Sequence, residues 1–508
     1  MNTRPSTWST ALSTTRAKTT AVLFAMIAIL AVVSFFPTTK YYFAQDDFVL
    51  IEKARYEFPD ELSRILTTPG QFRPFSKLVY FAVMDAVFGL RAMPYHVVSL
   101  LVYVVNIGLM FLLLGRLRLG LIAAFAGTAL FASNVAYLHI VGWISCFQQL
   151  AAMGFMLVSL ISGIDGLNRP SNRNRAVSLV AFVLALLSME QAYAVPIILF
   201  AYAVTLSEKR LDIRTLAQRL MPHGVVLVIY LVWVLVIKGV PGSGPYTMGL
   251  GANVLRNLYT YTGWMYEYWL VIQYRAPEGL YVSVSHIIMV LLIAYHVLRG
   301  RPRVAIFGLV SFTATILPVL FLSNHLFYLH TYMASVGPLF LLAAAIDDVV
   351  RFRLSFSRPL ATAGISLVIV AALSLSAVRV RQSEAAVMGE DVPYPRSFVF
   401  RRANIAERVR DDVVRIVSPE ARVDRIVMIY GGQPDALWNI LNVKIAIGGA
   451  SALRLFLNDP DLDVAFHTFA DPPGSRTPRT QALIYTDLGE CYTIDEVRNR
   501  GRESEPGE

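Results

Sequence analysis

The chain has 508 residues, of which 56% are hydrophobic and 16% are charged, and its formal net charge is +10. Because soluble domains average about 25% charged residues, this composition excludes an ordinary soluble protein and predicts one that lies mostly in lipid. The basic residues lie between apolar stretches, so we expect membrane lipids as their partners and no nucleic acid.

The first apolar stretch, residues 21–36, ends in Phe35-Phe36-Pro37. A cleaved signal peptide has a shorter apolar region of about 7–15 residues and small residues at the cleavage site. We therefore predict an uncleaved first span after a cytoplasmic tail of residues 1–19. The outward loop that follows, residues 38–94, is called the first loop.

An acidic pair, Asp46–Asp47, lies in the first loop just beyond this span. Carboxylates at the edge of a bilayer are costly to place, so their position indicates chemistry. An ionised Asp within hydrogen-bond reach can take the proton of an attacking hydroxyl group. The alternative is that one of the two caps the helix that follows, since Asp is favoured at helix N-termini.

Basic clusters and apolar stretches alternate over residues 115–358, and polar residues interrupt each unit between two clusters. If the basic clusters stay cytoplasmic, each unit crosses the membrane an even number of times. The unit at 176–206 is short for two spans; we favour a hairpin over one long tilted helix, which would place a basic flank outside. The predicted spans lie near residues 20–37, 95–114, 119–136, 147–164, 176–190, 192–206, 223–238, 279–298, 304–322, 332–348 and 359–378.

These eleven spans predict an α-helical polytopic membrane domain over residues 20–378. Two further helices, near 74–90 and 253–274, are expected to lie at the interface. Because the number of spans is odd, residues 379–497 are expected outside the membrane, and their composition predicts a small soluble α/β domain. Its predicted elements are a helix at 403–417 and strands at 425–430, 463–466 and 482–485. Residues 498–508 contain no apolar residue and are predicted to be disordered.

Several short motifs over residues 20–350 resemble those of the GT-C class of membrane glycosyltransferases. The motifs are Asp46-Asp47, Phe72-Arg73-Pro74, Phe88-Gly89 through Tyr95-His96, Trp143-Ile144-Ser145, Met189-Glu190-Gln191 before Pro196, and Leu329 through Tyr332 before Ser335-Val336-Gly337. The class includes protein O-mannosyltransferases and the aminoarabinose transferase of lipid A. The resemblance implies a polyprenyl-phosphate-linked sugar as donor and a catalytic carboxylate in the first loop, with Asp46 preferred to Asp47.

The resemblance also implies a site for the lipid phosphate, where cations and hydrogen-bond donors should cluster around the leaving group. Arg73 is the candidate in the first loop, although anchoring to lipid headgroups would also explain it. Related proteins often carry an Arg-Tyr pair in the turn at 323–332, whereas here His330 and Tyr332 occupy that neighbourhood and His325 lies nearby. Aromatic packing at the interface is the alternative for this turn.

Three further residues are candidates for substrate binding. Glu190 lies between two short spans, and a carboxylate at membrane depth is a candidate functional group unless it is a hairpin tip exposed to water. Trp143 and Gln148 share another outward turn, where they would line a sugar or acceptor pocket, or simply lie at the interface. We expect no cofactor, but Asp46, Asp47 and Glu190 are oxygen ligands that would suit a divalent metal, as in the oligosaccharyltransferase branch.

The sequence therefore predicts an inverting hexosyl- or pentosyltransferase in the inner (cytoplasmic) membrane, with its N-terminus in the cytoplasm and its C-terminal domain outside. The donor would be a polyprenyl-phosphate-linked sugar, and the acceptor an extracytoplasmic protein, polysaccharide or lipid. A transporter or flippase of a lipid-linked sugar, without catalysis, is the alternative. Such a protein would also have many spans and polar outward turns, but its polar residues usually lie near the midplane.

Overall fold

The computed structural model describes most of the chain. The described residues are 7–69, 71–208, 212–239, 243–244, 246–266, 282–353, 374–375, 377–389, 392–417, 423–430, 438–468, 479–486, 489–493 and 496–497. The predicted tail at 498–508 and residues 359–373 of the eleventh predicted span lie outside them.

Helices joined by turns make up most of the described residues between 7 and 353. In chain order they are α1 (Thr7–Phe35), α2 (Asp46–Tyr56), α3 (Phe58–Thr67), α4 (Tyr80–Phe88), α5 (Ala92–Arg116), α6 (Leu121–Ala132), α7 (Leu138–Gly142), α8 (Phe147–Asn168), α9 (Asn172–Leu186), α10 (Val195–Thr205), α11 (Ile213–Val232), α12 (Ala252–Trp264), α13 (Val284–Leu298), α14 (Pro302–Leu320), α15 (Thr331–Ala334) and α16 (Val336–Arg353). A π-helical turn, Phe75–Val79, precedes α4, and another, Trp233–Lys238, extends α11.

In the part of the chain that the structure describes, five helices are long and apolar enough to cross a membrane. They are Thr20–Lys40, Ala92–Arg116, Ile144–Asn168, Ile213–Lys238 and Pro302–Leu320. Two bent pairs, Leu121–Ala132 with Val135–Gly142 and Tyr328–Ala334 with Val336–Arg351, bend by 48° and 54° and would each add one span. The protein is thus a multi-pass membrane protein. Three other predicted spans correspond to α9, α10 and α13, which are shorter than the roughly 20 residues of a full span.

The unit at 176–206 is a helical hairpin, as predicted. Ser178 of α9 hydrogen-bonds with Ser159 of α8, so α9 packs along α8. The Tyr202 hydroxyl of α10 contacts Asn168 at the C-terminal end of α8, the same end at which α9 begins. The helices α9 and α10 therefore run in opposite directions along α8, and Glu190 lies in the turn between them.

One end of the helix bundle, here called the basic end, gathers the arginine clusters between the spans. Arg116 forms an ion pair with Asp165, Arg118 pairs with Glu208, and Arg351 donates to the Arg118 carbonyl at 3.1 Å. Loops from distant parts of the sequence thus meet at one end, as the alternation of basic and apolar segments predicted. The opposite end, here called the loop end, carries the first loop and the C-terminal domain.

The C-terminal domain contains a four-stranded sheet in the order β4-β3-β5-β6. The described strands are β1 (Val387–Gly389), β2 (Val392–Pro395), β3 (Arg425–Tyr430), β4 (Asp463–Thr468), β5 (Thr480–Tyr485) and β6 (Cys491–Tyr492), and the helices are α17 (Phe398–Ile416), α18 (Ile440–Ala446) and α19 (Ser451–Leu457). Strand β3 pairs in parallel with both β4 and β5. The predicted helix and three strands of an α/β domain are all present, with longer bounds for α17, β4 and β5.

The C-terminal domain shares a hydrophobic core with the first loop. Phe48 and Ile51 of α2 are fully buried, and they belong to the same cluster as Ile405, Val409 and Val443 of the domain. Burial of this apolar surface holds the two segments together, because separating them would expose these side chains to water. The core therefore fixes the start of α2, where the acidic pair lies, against the C-terminal domain.

Candidate active site

The two members of the acidic pair have opposite environments. Asp47 is 1% exposed, and its carboxylate accepts hydrogen bonds from the backbone N–H of Ala44 at 2.9 Å, the backbone N–H of Ser145 at 2.7 Å and the Ser145 hydroxyl. Asp46 is exposed, and among the described residues it has no hydrogen-bond or ion-pair partner. The carboxylate of Asp47 thus joins the first loop to the turn before α8, whereas that of Asp46 is free to meet a substrate.

The helix-cap alternative applies to Asp47 in part. The N-terminal flanking residue of α2 is Gln45, whose side chain does not cap the helix, but Asp47 reaches back to the Ala44 N–H. Burial raises the pKa of Asp47 to about 7, while its hydrogen bonds to Ser145 and Ala44 act in the opposite direction. This raised pKa would suit a base, but both oxygens of Asp47 are already engaged and enclosed.

Arg73, Glu190 and Gln148, which lie far apart in the sequence, form one cluster. The Arg73 guanidinium contacts the Glu190 carboxylate at 2.6 Å through Nη2 and at 2.8 Å through Nε, and its Nη1 donates to Gln148 Oε1 at 2.6 Å. The side chains of Arg73 and Glu190 are 7% and 24% exposed. Glu190 therefore orients a buried cation, and it is not merely a hairpin tip exposed to water.

Two lysines join this cluster, and the sequence analysis did not name either as a site residue. The Lys77 ammonium donates to the side-chain carbonyl of Gln71, and Lys238 donates to the Gln71 backbone carbonyl at 3.1 Å. Lys238 is 3% exposed and lies 5.4 Å from the centre of the Phe72 ring. Burial, followed by the charge of Arg73, lowers the pKa of Lys77 to about 8. The sequence signal was weak, because a single Lys near a span end usually extends its ammonium to the interface.

The acidic pair and the cation cluster are electrostatically close. The negative charge of Asp46 acts on Lys77, where it favours the charged ammonium. Asp46 and Arg73 also both act on Tyr246, a residue of the loop between α11 and α12. The Asp46 carboxylate and the cations therefore lie within electrostatic range of one another at the loop end.

His325 belongs to this region, whereas Tyr332 does not. The ring of His325 lies 4.8 Å from that of Tyr246, and burial, with a smaller effect of Arg73, lowers its pKa to about 4. His325 is therefore neutral near pH 7 and offers a hydrogen bond without a charge. Tyr332 is fully buried within the bundle, where its hydroxyl accepts from Asn106 at 3.1 Å and its ring packs 4.7 Å from Tyr137.

His330 and Trp143 are both buried among aromatic side chains. His330 is 4% exposed, its ring centre is 6.0 Å from that of His325, and neither of its ring nitrogens has a hydrogen-bond partner in the described structure. Trp143 packs against Phe327 and against Phe398 of the C-terminal domain, with ring centres 6.5 and 6.0 Å apart. Its indole N–H is also buried without a partner among the described residues. Both side chains thus keep unused hydrogen-bonding groups beside the site.

The three acids suggested as metal ligands do not form a ligand set in this arrangement. Asp47 is bound to Ser145 and Ala44, and Glu190 is bound to Arg73. Among the residues that the structure describes, no three His, Cys, Asp or Glu side chains converge as metal ligands do.

Comparisons with known proteins found similarity only among solved structures; no family model and no curated protein matches the chain. The archaeal oligosaccharyltransferase AglB from Archaeoglobus fulgidus, in complex with an inhibitory peptide and a dolichol-phosphate, is 12% identical with a TM-score of 0.49, over 85% of this chain and 64% of that one. The oligosaccharyltransferase of the same organism tethered to an acceptor peptide is 13% identical with a TM-score of 0.49, over 89% and 64%. The chain thus spans less than two thirds of these proteins, and a likeness of this size assigns no role to any residue.

Proposed function

We propose that the protein is an inverting glycosyltransferase that moves a sugar from a polyprenyl-phosphate donor to an extracytoplasmic acceptor, with Asp46 as the general base. The observation that carries the proposal is an exposed carboxylate, without a partner among the described residues, at the same end of the bundle as three buried or half-buried cations, Arg73, Lys77 and Lys238. Sugar transfer from a lipid phosphate requires both parts, a base for the acceptor and positive charge for the leaving group.

The lysines supply the free donors for the phosphate. An ammonium group has three N–H donors, and in the described structure Lys77 and Lys238 each use one, on Gln71. The guanidinium of Arg73 is largely occupied by Glu190 and Gln148, so it acts as a fixed positive charge behind the lysines. His325 and Tyr246 add neutral hydrogen-bond donors at the edge of the cluster.

The chemical step follows from this arrangement. The acceptor hydroxyl attacks the anomeric carbon while Asp46 takes its proton, and a new C–O bond forms. The bond between the anomeric carbon and the phosphate oxygen breaks on the opposite face, and the prenyl phosphate leaves with the electron pair. The configuration inverts because the attacking and leaving oxygens lie on opposite faces of the sugar.

Asp46→Asn tests the base, with Asp60→Asn as a matched control. Asp60 is an exposed aspartate in the first turn of α3, also in the first loop, and it lies outside the proposed site. With the purified protein in lipid nanodiscs and a labelled prenyl-phosphate sugar, we expect Asp46→Asn to lower the rate of sugar transfer by about 10²–10⁴-fold. Asp60→Asn should keep the wild-type rate.

Two outcomes would overturn this proposal. Full transfer activity in Asp46→Asn would remove Asp46 from the chemistry. Movement of the labelled donor across a vesicle membrane, without release of prenyl phosphate, would support the transporter instead.

We also propose that the loop end faces the outside of the inner membrane and that residues 1–19 are cytoplasmic. The support is the arginine-rich basic end, because Lys and Arg are enriched in cytoplasmic loops. Single cysteines in place of Asp60 and Arg169, both at exposed positions, test this. An impermeant thiol reagent added to intact cells should label the Asp60→Cys variant and not the Arg169→Cys variant, and the reverse pattern would contradict the orientation.

A further inference from the structure

Gln45, the residue before Asp46, has an unusual backbone conformation. Its φ is +57° and its ψ is −119°. Residues other than glycine rarely adopt positive φ, and such a conformation costs on the order of 1–3 kcal/mol unless its surroundings impose it. The helix that carries Asp46 begins directly after this residue, so the conformation of Gln45 sets the direction in which α2 starts.

The C-terminal domain supplies the contacts that hold Gln45. The Gln45 N–H donates to the carbonyl of Ala446 at 2.8 Å, and its side-chain oxygen accepts from Arg402 Nη1 at 2.5 Å. The Gln45 carbonyl lies against Gly448, where a Cβ atom would come within 2.7 Å of the carbonyl oxygen. The side-chain oxygen and the peptide backbone of Gln45 are thus constrained by residues about 350–400 positions later in the chain.

Other contacts prevent α2 from moving as a unit. The Glu52 carboxylate accepts from the Ser451 hydroxyl at 2.5 Å and from Arg454 at 3.0 Å, and the rings of Phe48 and Phe456 are 5.7 Å apart. The domain therefore holds the body of α2 as well as Gln45, the residue that precedes it.

Asp46 lies between two separate anchors. On one side, the C-terminal domain holds Gln45; on the other, Ser145 of the helix bundle holds Asp47. The two neighbours of Asp46 are buried and bonded, and Asp46 alone is exposed. If the C-terminal domain only covered the site, it would not need contacts with Gln45, the residue that precedes Asp46.

We propose that the C-terminal domain is a positioning element, in which Arg402, Ala446 and Gly448 impose the conformation of Gln45 and thereby direct the Asp46 carboxylate toward the substrate. This inference rests on the proposed function, because it assigns the domain a role in the same transfer step. This positioning role of the domain differs from binding the acceptor and from shielding the site. The donor site around Arg73, Lys77 and Lys238 makes none of the contacts of Gln45, so loosening Gln45 should lower kcat and leave the KM for the donor unchanged.

Gly448→Ala tests the inference, with Gly449→Ala as a matched control. Both glycines have positive φ, +62° and +69°, so both variants carry the same conformational penalty. Only at Gly448 does the new methyl group meet Gln45; at Gly449 nothing lies within 4 Å. Because a displacement of about 1 Å at a reacting group can cost about 10²-fold in rate, we expect Gly448→Ala to lower kcat by about 10- to 100-fold relative to Gly449→Ala, with the donor KM changed less than twofold.

Arg402 provides a second, milder test. Arg402→Ala removes the partner of the Gln45 side chain, whereas Arg402→Lys keeps a cationic donor. We expect kcat to fall in Arg402→Ala and to recover in part in Arg402→Lys. The inference would be overturned if kcat were the same in Gly448→Ala and Gly449→Ala, whether it stayed at the wild-type value or fell equally in both.

A labelling experiment separates this inference from the proposed function. In an Asp46→Cys variant the new thiol reports the position of the side chain, and the two native cysteines, Cys146 and Cys491, are both buried. We expect Gly448→Ala to change the alkylation rate of this thiol by at least about threefold, and Gly449→Ala to leave it unchanged. An unchanged rate in both would overturn the positioning role, whereas absence of transfer by the wild-type protein would overturn the proposed function alone.

Discussion

The loop end and the basic end contain the same type of ion pair, but the two pairs differ in their exposure to water. Arg73 and Glu190 at the loop end are 2.6 Å apart with side chains 7% and 24% exposed, whereas Arg116 and Asp165 at the basic end are 2.8 Å apart with side chains 47% and 33% exposed. The distances are nearly equal, but an exposed pair contributes about 0–1 kcal/mol, while breaking a buried pair costs about 3–5 kcal/mol. Burial therefore distinguishes the two ends.

This difference indicates two roles for positive charge in one chain. Arg116, Arg118 and Arg169 line an open groove with Asp165 and Glu208, where water screens every charge. At the loop end, Arg73 and Lys238 are almost fully buried, a costly placement that is explained if a negatively charged ligand enters. The basic end thus suits orientation in the membrane, and the loop end suits binding of a phosphate.

Arg73→Met is the strongest test of the difference between the buried ion pair at the loop end and the exposed pair at the basic end. The substitution leaves Glu190 and Gln148 without their cation in a buried position, so we expect the free energy of unfolding in detergent to fall by about 3–5 kcal/mol. In the double variant Arg73→Met/Glu190→Met neither partner of this ion pair is left as an unpaired charge, and much of this loss should be regained. A loss below about 1 kcal/mol in the single variant would place Arg73 in the same class as the exposed pairs.

Asp47→Ala should produce the next largest effect on stability. It leaves the backbone N–H groups of Ala44 and Ser145 and the Ser145 hydroxyl without an acceptor, at a cost of about 2–4 kcal/mol in the same unfolding measurement. Asp60→Ala, on the exposed first turn of α3, should change stability by less than about 0.5 kcal/mol. If Asp47→Ala abolished transfer while stability was unchanged, the base would be Asp47.

The pH dependence of donor binding tests the role of Lys77. Its pKa is lowered to about 8, so its positive charge is present below pH 8 and is lost as the pH rises through that value. The groups whose charges act on it are Arg73, Asp46, Glu190 and Lys53. Because the charged fraction falls from about nine tenths at pH 7 to about one tenth at pH 9, we expect the donor KM to rise about tenfold over this interval.

The control for this pH profile is Lys77→Arg, whose side chain stays charged up to a much higher pH. We expect its donor KM to stay constant between pH 7 and 9. An identical rise in Lys77→Arg and the wild type would assign the titration to another group.

The smallest effect is expected for Arg116→Met at the basic end. Since Arg116 is exposed and its partner Asp165 is partly exposed to water, we expect a loss of at most about 1 kcal/mol in the free energy of unfolding, and a smaller one at 1 M salt. The transfer rate should not change. A loss as large as that of Arg73→Met would remove the difference between the two ends.

Elements with a strong local pattern could be predicted from the sequence. Strand β3 has the bounds that its apolar run predicted, Arg425–Tyr430, and the hairpin of α9 and α10 follows from basic flanks that both require the same side of the membrane. The acidic pair is a candidate because charge near the membrane is costly, and Arg73 is one because the resemblance implies a cation beside the leaving phosphate.

The partners of these residues could not be predicted, because they come from distant segments. Lys238 reaches the cluster through the carbonyl of Gln71, 167 residues earlier, and Gln45 meets Arg402 across 357 residues. His325 and Tyr332 lie in one polar turn, yet the turn directs His325 toward Tyr246 and Tyr332 into the bundle. No local pattern encodes such pairings.

The sequence alone determined that the chain crosses a membrane many times, that the arginine clusters between its spans gather at one end, and that a carboxylate pair follows the first span. These features depend on composition and on spacing along the chain, because the free energy of transferring a side chain from water to lipid depends on that side chain and not on its tertiary contacts. Only the tertiary structure gave the two aspartates different environments. Asp46 and Asp47 are chemically identical neighbours. The Ser145 N–H and hydroxyl bind and bury Asp47, whereas Ala446 and Arg402 hold Gln45 and leave Asp46 exposed.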